Sequence, residues 1–118
     1  MEPGPSALVV DDDRALRLLC RVNLELEGFS VREAGTVAEA AAALDEAAPS
    51  VVLLDAHLGR EGVDGLLERL RRDGVPVVVV TGSVDLDDYR GRADEVLGKP
   101  FRPENLVAVA RRLARVGP

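Results

Sequence analysis

The fold is decided by the segment ALVVDDD at residues 7–13, in which a short apolar run ends in three consecutive aspartates. The same order recurs at residues 51–55, which read VVLLD. Apolar runs without alternation are typical of strands that are covered on both faces. Asp13 taken alone also fits the N-cap of a following helix. We therefore predict two buried strands with acidic side chains at their carboxyl ends.

Two segments with the apolar spacing of helices lie between these two strands. Over residues 14–27 the apolar positions recur at helical intervals, and Gly28 supplies a C-terminal stop. Thr36 and Glu39 form a capping box for a second helix that reaches Ala47. The side chains that we expect to be buried are Leu16, Leu19, Cys20 and Leu24 on the first helix, and Val37, Ala40, Ala41 and Leu44 on the second.

Three further segments have the composition of strands, at residues 29–34, 75–80 and 94–97. The first has one polar face, which indicates a position near an edge of the sheet. Pro76 stands at the start of the second, where proline is tolerated. Residues 85–91 leave room for only a turn or two of helix before the last strand.

Two more helices complete the pattern, a short one over residues 63–70 and a last one whose first turn contains Pro103. Their expected buried positions are Val63, Leu66, Leu67 and Leu70, then Leu106, Val109, Ala110 and Leu113. Alternation of strands and helices predicts an α/β fold, a doubly wound five-stranded parallel sheet with a short or irregular fourth helix. Ligands bind such sheets outside the carboxyl ends of the strands.

Composition narrows the class of protein. The chain has 118 residues, a formal net charge of −6, one cysteine and one histidine, His57. We expect one domain over residues 1–118, with its core at about residues 6–115 and without an output domain. The acidic balance argues against direct nucleic-acid binding, and one cysteine with one histidine makes no zinc cluster. Without a visible secretory signal or membrane span, we expect a cytoplasmic protein.

Polar side chains end the predicted strands. Asp11 and Asp12 follow the first strand, Asp55 the third, Thr81 the fourth, and Lys99, the only lysine of the chain, the fifth. Crowded carboxylates repel each other unless a cation neutralises them, and oxygen ligands suit Mg²⁺. Taken singly, Thr81 also fits a local hydrogen bond and Lys99 a surface charge. Together they suit phosphoryl transfer, in which a protein mainly positions charge.

These segments resemble the receiver domain of bacterial two-component response regulators. The resemblance covers essentially the whole chain and is carried by residues 9–13, 52–55, 64–65, 80–82 and 99–101. It implies a flavodoxin-like sheet with strand order 2-1-3-4-5. It also implies that the chain is not an enzyme with a separate substrate, because a receiver promotes only its own phosphorylation and dephosphorylation.

The resemblance further assigns roles at the acidic end of the sheet. Asp55 is implied to be the phosphoacceptor for a histidine kinase or phosphotransfer protein. Asp12 is implied to bind Mg²⁺ directly and Asp11 partly through water. Asp55 and the backbone carbonyl of His57 complete the protein's share of the ligands.

Phosphoryl binding and switching are implied for two more residues. Thr81 is implied to bind a phosphoryl oxygen and to carry the switch. Lys99 is implied to pair with Asp55 before phosphorylation and with the phosphoryl group afterwards, and its bond to Pro100 is implied to be cis.

Three departures from the family pattern affect the switch and the output surface. Val96 stands where the family usually has an aromatic residue, so the switch is expected to be altered or absent. Tyr89, the only tyrosine, is expected to be a half-buried packing residue. The glycine-rich loop at residues 57–62 could bring Arg60 or Glu61 to the site and give an unusual dephosphorylation rate. A short fourth helix would alter the surface that it forms in the family with the fifth strand and the last helix, through which receivers signal.

Two other functions stay open from the residues alone. The first is a receiver-like interaction or dimerisation module that acts independently of phosphorylation, for which a homodimer is one form. The second is a phosphatase of the haloacid dehalogenase type, although His57 stands where that family has a second acid. We expect an output protein as partner, whose identity the sequence does not indicate, and neither nucleic acid nor membrane.

Overall fold

The computed structural model describes residues 4–58, 62–82 and 86–115. Its strands are β1 (Ser6–Val10), β2 (Ser30–Ala34), β3 (Val51–Asp55), β4 (Val77–Thr81) and β5 (Glu95–Gly98). Its helices are α1 (Arg14–Leu26), α2 (Val37–Glu46), α3 (Asp64–Asp73), α4 (Leu86–Tyr89) and α5 (Pro103–Leu113). None of the helices in these ranges has the length and apolar character that crossing a bilayer requires.

The five strands form one parallel sheet in the order β2-β1-β3-β4-β5. Helices cover both faces because successive side chains of a strand point to opposite sides. Leu8 and Val10 of β1 pack with the side chains of α2 and α3, whereas Ala7 and Val9 pack with those of α1 and α5. The predicted doubly wound α/β fold and the strand order 2-1-3-4-5 are therefore confirmed.

Local capping follows the sequence closely. Asp13 caps α1 by accepting from two backbone N–H groups of its first turn, at 3.0 and 3.2 Å. Gly28, with φ of +91°, lies just beyond the end of the same helix. Thr36 Oγ1 accepts from the N–H of Glu39 at 3.0 Å. The Glu39 carboxylate accepts from the N–H of Gly35 at 2.7 Å, so this capping box closes one residue earlier than the usual one.

On α1 the expectation that Leu19 is buried is wrong, because this side chain is 42% exposed. Cys20 and Leu24 face the sheet, and Leu16 packs at the edge of their cluster. The helix has more apolar side chains than one stripe can cover, so spacing alone does not select those that face the sheet. The exposed large ones are Leu18, Leu19, Val22 and Leu26. Other expected core side chains are only half-buried: Leu16, Val37, Ala41, Leu44, Val109 and Leu113.

The short fourth helix is confirmed. α4 consists of four residues, none of them buried, and all four residues of β5 are half-buried. Tyr89 is half-buried against the apolar side chains on the α2 and α3 side of the sheet, as a packing residue should be. Its ring centre lies 5.5 Å from the guanidinium carbon of Arg92. Residues 83–85, which precede α4, lie outside the described residues.

Candidate functional site

The carboxyl ends of four neighbouring strands bring the sequence-predicted residues together. Asp11 directly follows β1, Asp55 ends β3, Thr81 ends β4 and Lys99 directly follows β5. These strands are parallel and adjacent in the order β1-β3-β4-β5, so their carboxyl ends share one edge. Asp11 and Asp55 are each 5% exposed and Thr81 is fully buried. The edge therefore presents a polar cluster at the margin of an apolar core.

Three carboxylates crowd one corner of this edge. Oxygen atoms of Asp11, Asp12 and Asp55 all lie within 4.8 Å of one another, and Asp12 is exposed. Burial raises the pKa of Asp11, and repulsion from Asp55 and Asp12 acts in the same direction. The N–H of Asp13, which donates to Asp11 Oδ1 at 2.8 Å, and the charge of Lys99 oppose this shift. Three carboxylates with one ammonium group beside them keep an excess of negative charge, and an all-oxygen cluster of this kind has the chemistry of a Mg²⁺ site.

Two donors hold the Asp55 carboxylate. Its Oδ1 atom accepts from the N–H of His57 at 3.1 Å and lies 3.4 Å from Lys99 Nζ. The same Nζ atom lies 3.6 Å from Asp11 Oδ2, so the ammonium group bridges two carboxylates from different strands. The N–H of Lys99 donates to the carbonyl of Thr81 at 2.7 Å, and the Lys99-Pro100 peptide is cis, as the resemblance implied.

Thr81 ends β4 with its hydroxyl group turned into the protein. Within the described residues, Thr81 Oγ1 is the buried side-chain polar atom that has no hydrogen-bond partner. Leaving a buried hydroxyl group unpaired costs about 1–3 kcal/mol. An oxygen acceptor that reached this strand end would remove that cost once the hydroxyl group turned toward it.

The other sequence-predicted positions lie away from this cluster or outside the described residues. Val96 is half-buried in β5, where it pairs with Val79, two residues before Thr81 in β4. Arg60 and Glu61, which were expected to reach the site from the glycine-rich loop, lie outside the described residues. The switch role of Val96 stays a prediction.

Sequence reasoning missed Arg17 of α1. Its Nη1 atom donates to the backbone carbonyl of Asp11 at 2.6 Å, and its Nε atom donates to Glu33 Oε1 at 3.1 Å. Arg21 donates to the other carboxylate oxygen of Glu33 at 2.9 Å. Hydrogen bonds from Arg21 and then Arg17 lower the pKa of Glu33. The available signal was an arginine one helical turn beyond the acidic loop.

Comparison with known sequences agrees with this geometry. The family model for the response regulator receiver domain matches residues 7–111. The chain is 40% identical over 114 residues to the DNA-binding response regulator MtrA of Mycobacterium tuberculosis, covering 92% of this chain and 50% of the relative. It is 34% identical over 125 residues to the phosphate regulon transcriptional regulatory protein PhoB of Pseudomonas aeruginosa, covering 98% and 54%. The chain thus spans about half the length of these relatives.

Solved structures give the same result. The receiver domain of NtrX from Brucella abortus superposes with a TM-score of 0.85 at 30% identity, covering 94% of this chain and 99% of that one. A CheY-like response regulator receiver domain protein from Methanospirillum hungatei superposes with a TM-score of 0.84 at 28% identity, covering 94% of each chain.

Proposed function

Because the chain belongs to the response regulator receiver domain family of two-component systems, we propose that Asp55 is the residue that accepts the phosphoryl group. The observation that carries this proposal is the setting of Asp55 at the end of β3. Its carboxylate is almost buried, lies 3.4 Å from the Lys99 ammonium group, and has Asp11 and Asp12 within 4.8 Å. A nucleophile, a cation and an acidic pair therefore meet at one point of the sheet.

The phosphoryl donor that we propose is the phosphohistidine of a histidine kinase or of a phosphotransfer protein. An oxygen of the Asp55 carboxylate attacks the phosphorus atom, the bond from phosphorus to the donor's imidazole nitrogen breaks, and that nitrogen keeps the electron pair. The products are an aspartyl phosphate and an unmodified histidine. The exposed apolar side chains of α1, which begins just beyond the acidic loop, offer a surface on which such a donor protein can dock.

The acidic cluster supports Mg²⁺ as the cofactor of this transfer. Asp12 would bind the ion directly and Asp11 partly through water, with Asp55 and the backbone carbonyl of His57 as the remaining ligands. When bound, Mg²⁺ neutralises charge on the phosphoryl oxygens. Burial raises the pKa of Asp11 and repulsion from Asp55 and Asp12 acts in the same direction, so a cation bound at this cluster would favour the ionised carboxylates.

Thr81 and Lys99 are proposed to hold the transferred group. The Thr81 hydroxyl group has a free donor for a phosphoryl oxygen, and satisfying it would draw the end of β4 toward the phosphate. Lys99 would exchange its contact with the Asp55 carboxylate for one with a phosphoryl oxygen. Both groups bind charge and neither forms a bond, so we propose no activity on any substrate beyond the chain's own phosphoryl group.

Output is proposed to occur through altered binding of another protein. Val96 cannot provide the ring motion of an aromatic switch residue, and α4 is a single helical turn with no buried residue. Displacement at Thr81 would therefore pass to a partner mainly through β4 and β5, whose ends are joined by the 2.7 Å hydrogen bond from Lys99 to Thr81. A homodimer is one form that the partner can take.

We further propose that residues 1–118 form one receiver domain that works in the cytoplasm, where it meets the phosphodonor. The net charge of −6 supports an absence of direct nucleic-acid contact in these residues, although one of the relatives is named as DNA-binding.

The proposal is tested by intact-mass spectrometry after incubation with acetyl phosphate and Mg²⁺. We expect the wild-type chain to gain the mass of one phosphoryl group, and expect no gain in Asp55→Asn or in EDTA. Asp73→Asn is the matched control, because Asp73 is an ion-paired carboxylate of α3 remote from the edge. A gain in Asp55→Asn equal to that of wild type would place the acceptor elsewhere. A folded wild-type chain that stays unmodified with acetyl phosphate and with a panel of phosphorylated kinases would favour the phosphate-independent interaction module.

A further inference from the structure

A chain of charged side chains links the acidic loop to the edge strand β2. Arg17 donates through Nη1 to the Asp11 carbonyl at 2.6 Å and through Nε to Glu33 at 3.1 Å. Glu33 lies on β2 and also accepts from Arg21 at 2.9 Å, and Arg21 is within 3.3 Å of Glu25. The Arg17 side chain is only 18% exposed, so its hydrogen bonds are shielded from water more than those of a surface ion pair.

These contacts fix the backbone of Asp11 on two sides. Its N–H donates to the carbonyl of Ala34 at 3.0 Å, and its own carbonyl is the acceptor for Arg17. That carbonyl belongs to the peptide unit that joins Asp11 to Asp12. Holding this peptide plane therefore restricts one backbone dihedral angle of Asp11 and one of Asp12, and so limits the directions in which both side chains leave the backbone.

Gly35 makes room for the arginine. A Cβ atom at this position would lie 3.0 Å from Arg17 Nη1 and 3.6 Å from its Cζ atom, and the first distance is too short for undisturbed packing. The glycine N–H donates to Glu39, so the backbone of Gly35 is itself held in place. The guanidinium group thus lies in a slot formed by β2, its following turn and the acidic loop.

We propose that Arg17, held by Glu33 and given space by Gly35, is a positioning residue for the Mg²⁺ ligands Asp11 and Asp12. This role rests on the proposed function, since it concerns the same acidic site. Groups that orient metal ligands commonly change metal affinity by 10- to 100-fold when they are removed, on the order of the effect expected here.

The sign of the effect separates positioning from simple electrostatics. Arg17 is a cation beside a cation site, so its charge alone weakens Mg²⁺ binding, and its removal would then strengthen binding. Loss of a positioning contact would instead weaken Mg²⁺ binding. The two explanations therefore predict Mg²⁺ affinities that change in opposite senses in the same variant.

The test is calorimetric titration of the full chain with Mg²⁺. We expect Arg17→Ala to bind the ion about tenfold more weakly than wild type. Arg69→Ala is the matched control, because Arg69 also pairs with a carboxylate, Asp45 at 2.6 Å, and donates to a backbone carbonyl, that of Ala41 at 3.4 Å. It does so between α3 and α2, on the other face of the sheet. A general loss of stability would affect both variants, whereas a weaker affinity in Arg17→Ala alone supports positioning.

Two further variants keep the test decisive if Arg17→Ala does not fold. Arg17→Lys retains the charge but cannot donate to Asp11 and Glu33 through one planar group, so we expect it to bind Mg²⁺ more weakly than wild type. Gly35→Ala should displace the guanidinium group and weaken binding in the same sense. Where Arg17→Ala does fold, adding Gly35→Ala to it should change the affinity little further, because both act through one contact.

Unchanged or tighter Mg²⁺ binding in Arg17→Ala, or in both further variants, would overturn the positioning role while leaving the proposed function intact. Failure of the wild-type chain itself to bind Mg²⁺ would overturn the metal site of the proposed function, and the role of Arg17 with it.

Discussion

The centre of the sheet and its β5 edge hold functional residues in different ways. Every residue of β3 and β4 is buried, and the carboxylate at the end of β3 belongs to Asp55. β5 has four residues, all half-buried, and the helix before it is a single turn. Lys99 stands directly beyond this thinly covered strand. The two partners of one ion pair, 3.4 Å apart, thus come from regions with very different packing.

Polar contacts replace part of the missing apolar cover at β5. The Asp94 carboxylate accepts from the N–H of Val77 at 2.8 Å, and Glu95 lies 3.2 Å from Arg112 of α5. An exposed ion pair such as that of Glu95 and Arg112 contributes about 1 kcal/mol or less, whereas a fully buried aliphatic side chain contributes about 1.5–3 kcal/mol. We conclude that the Asp55 carboxylate, the proposed acceptor, is fixed by the core, while Lys99 opposite it lies in the region that can rearrange at low cost.

The strongest test of this contrast uses thiol reactivity. Cys20 is buried in the cluster that covers the sheet centre, and burial, with the charge of Asp11, raises its pKa from 9.0 to about 11. In a Cys20→Ala background, Val96→Cys places a thiol at the half-buried β5 edge. We expect the thiol at position 96 to be alkylated by iodoacetamide at pH 8 at least about 100-fold faster, since the buried Cys20 thiol is shielded from the reagent and its raised pKa also lowers the fraction of reactive thiolate. Intact mass gives both rates.

The unfolded chains serve as the control for this experiment, because in urea the two thiols should react at similar rates. Equal rates in the native proteins would mean that the sheet centre opens as readily as its edge. The proposed division between a fixed acceptor and a movable cation would then be wrong.

A smaller effect is expected from two valines that pair across the ladder. Val79 of β4 is fully buried, and its partner Val96 of β5 is half-buried. Val79→Ala should lower the free energy of unfolding by about 2 kcal/mol and Val96→Ala by less than about 1 kcal/mol. Both substitutions remove the same two methyl groups from a strand, so the difference reports burial alone. Urea unfolding measures it, and equal losses would contradict the contrast.

The same contrast explains what the sequence could predict. The central strands are uninterrupted apolar runs in the sequence, so both the buried strands and the aspartates that follow them can be predicted from the local pattern. Leu19 was misplaced because α1 has apolar side chains on more than one side, and the choice between them depends on how the helix docks. Local patterns give spacing, but the rotation of a helix against a sheet is a property of the whole core.

Arg17 shows the corresponding limit at the site. Its partner Glu33 lies 16 residues away, on a strand that is adjacent only after the sheet has formed. The acids and Lys99 could be identified because each follows a strand directly, and the order of the strands then brings them together. A side chain that acts from a helix through a backbone carbonyl is marked only by its helical spacing from the acidic loop, and that spacing does not show which groups it contacts.

The smallest effect that we expect is on stability, and it comes from burying the charged Asp11 carboxylate at the end of β1. Burial raises the pKa of this carboxyl group above its value in the unfolded chain, so the folded state binds the proton more tightly. Stability contributed in this way is fully present below the unfolded pKa and is lost as pH rises through the folded pKa. At neutral pH and without metal, the ionised group therefore lowers stability.

Asp11→Asn should remove this loss, because the amide oxygen can still accept from the N–H of Asp13 while carrying no charge. In EDTA at pH 7 we expect the thermal midpoint to rise by about 3 °C, which corresponds to less than about 1 kcal/mol for a domain of this size. The gain should vanish below the usual aspartate pKa of 3.8, where both proteins are uncharged at this position. A midpoint lower than that of wild type at pH 7 would show that the attraction between Lys99 and the Asp11 carboxylate outweighs the cost of burying this charge. The residue beyond the edge strand β5 would then stabilise the centre of the sheet.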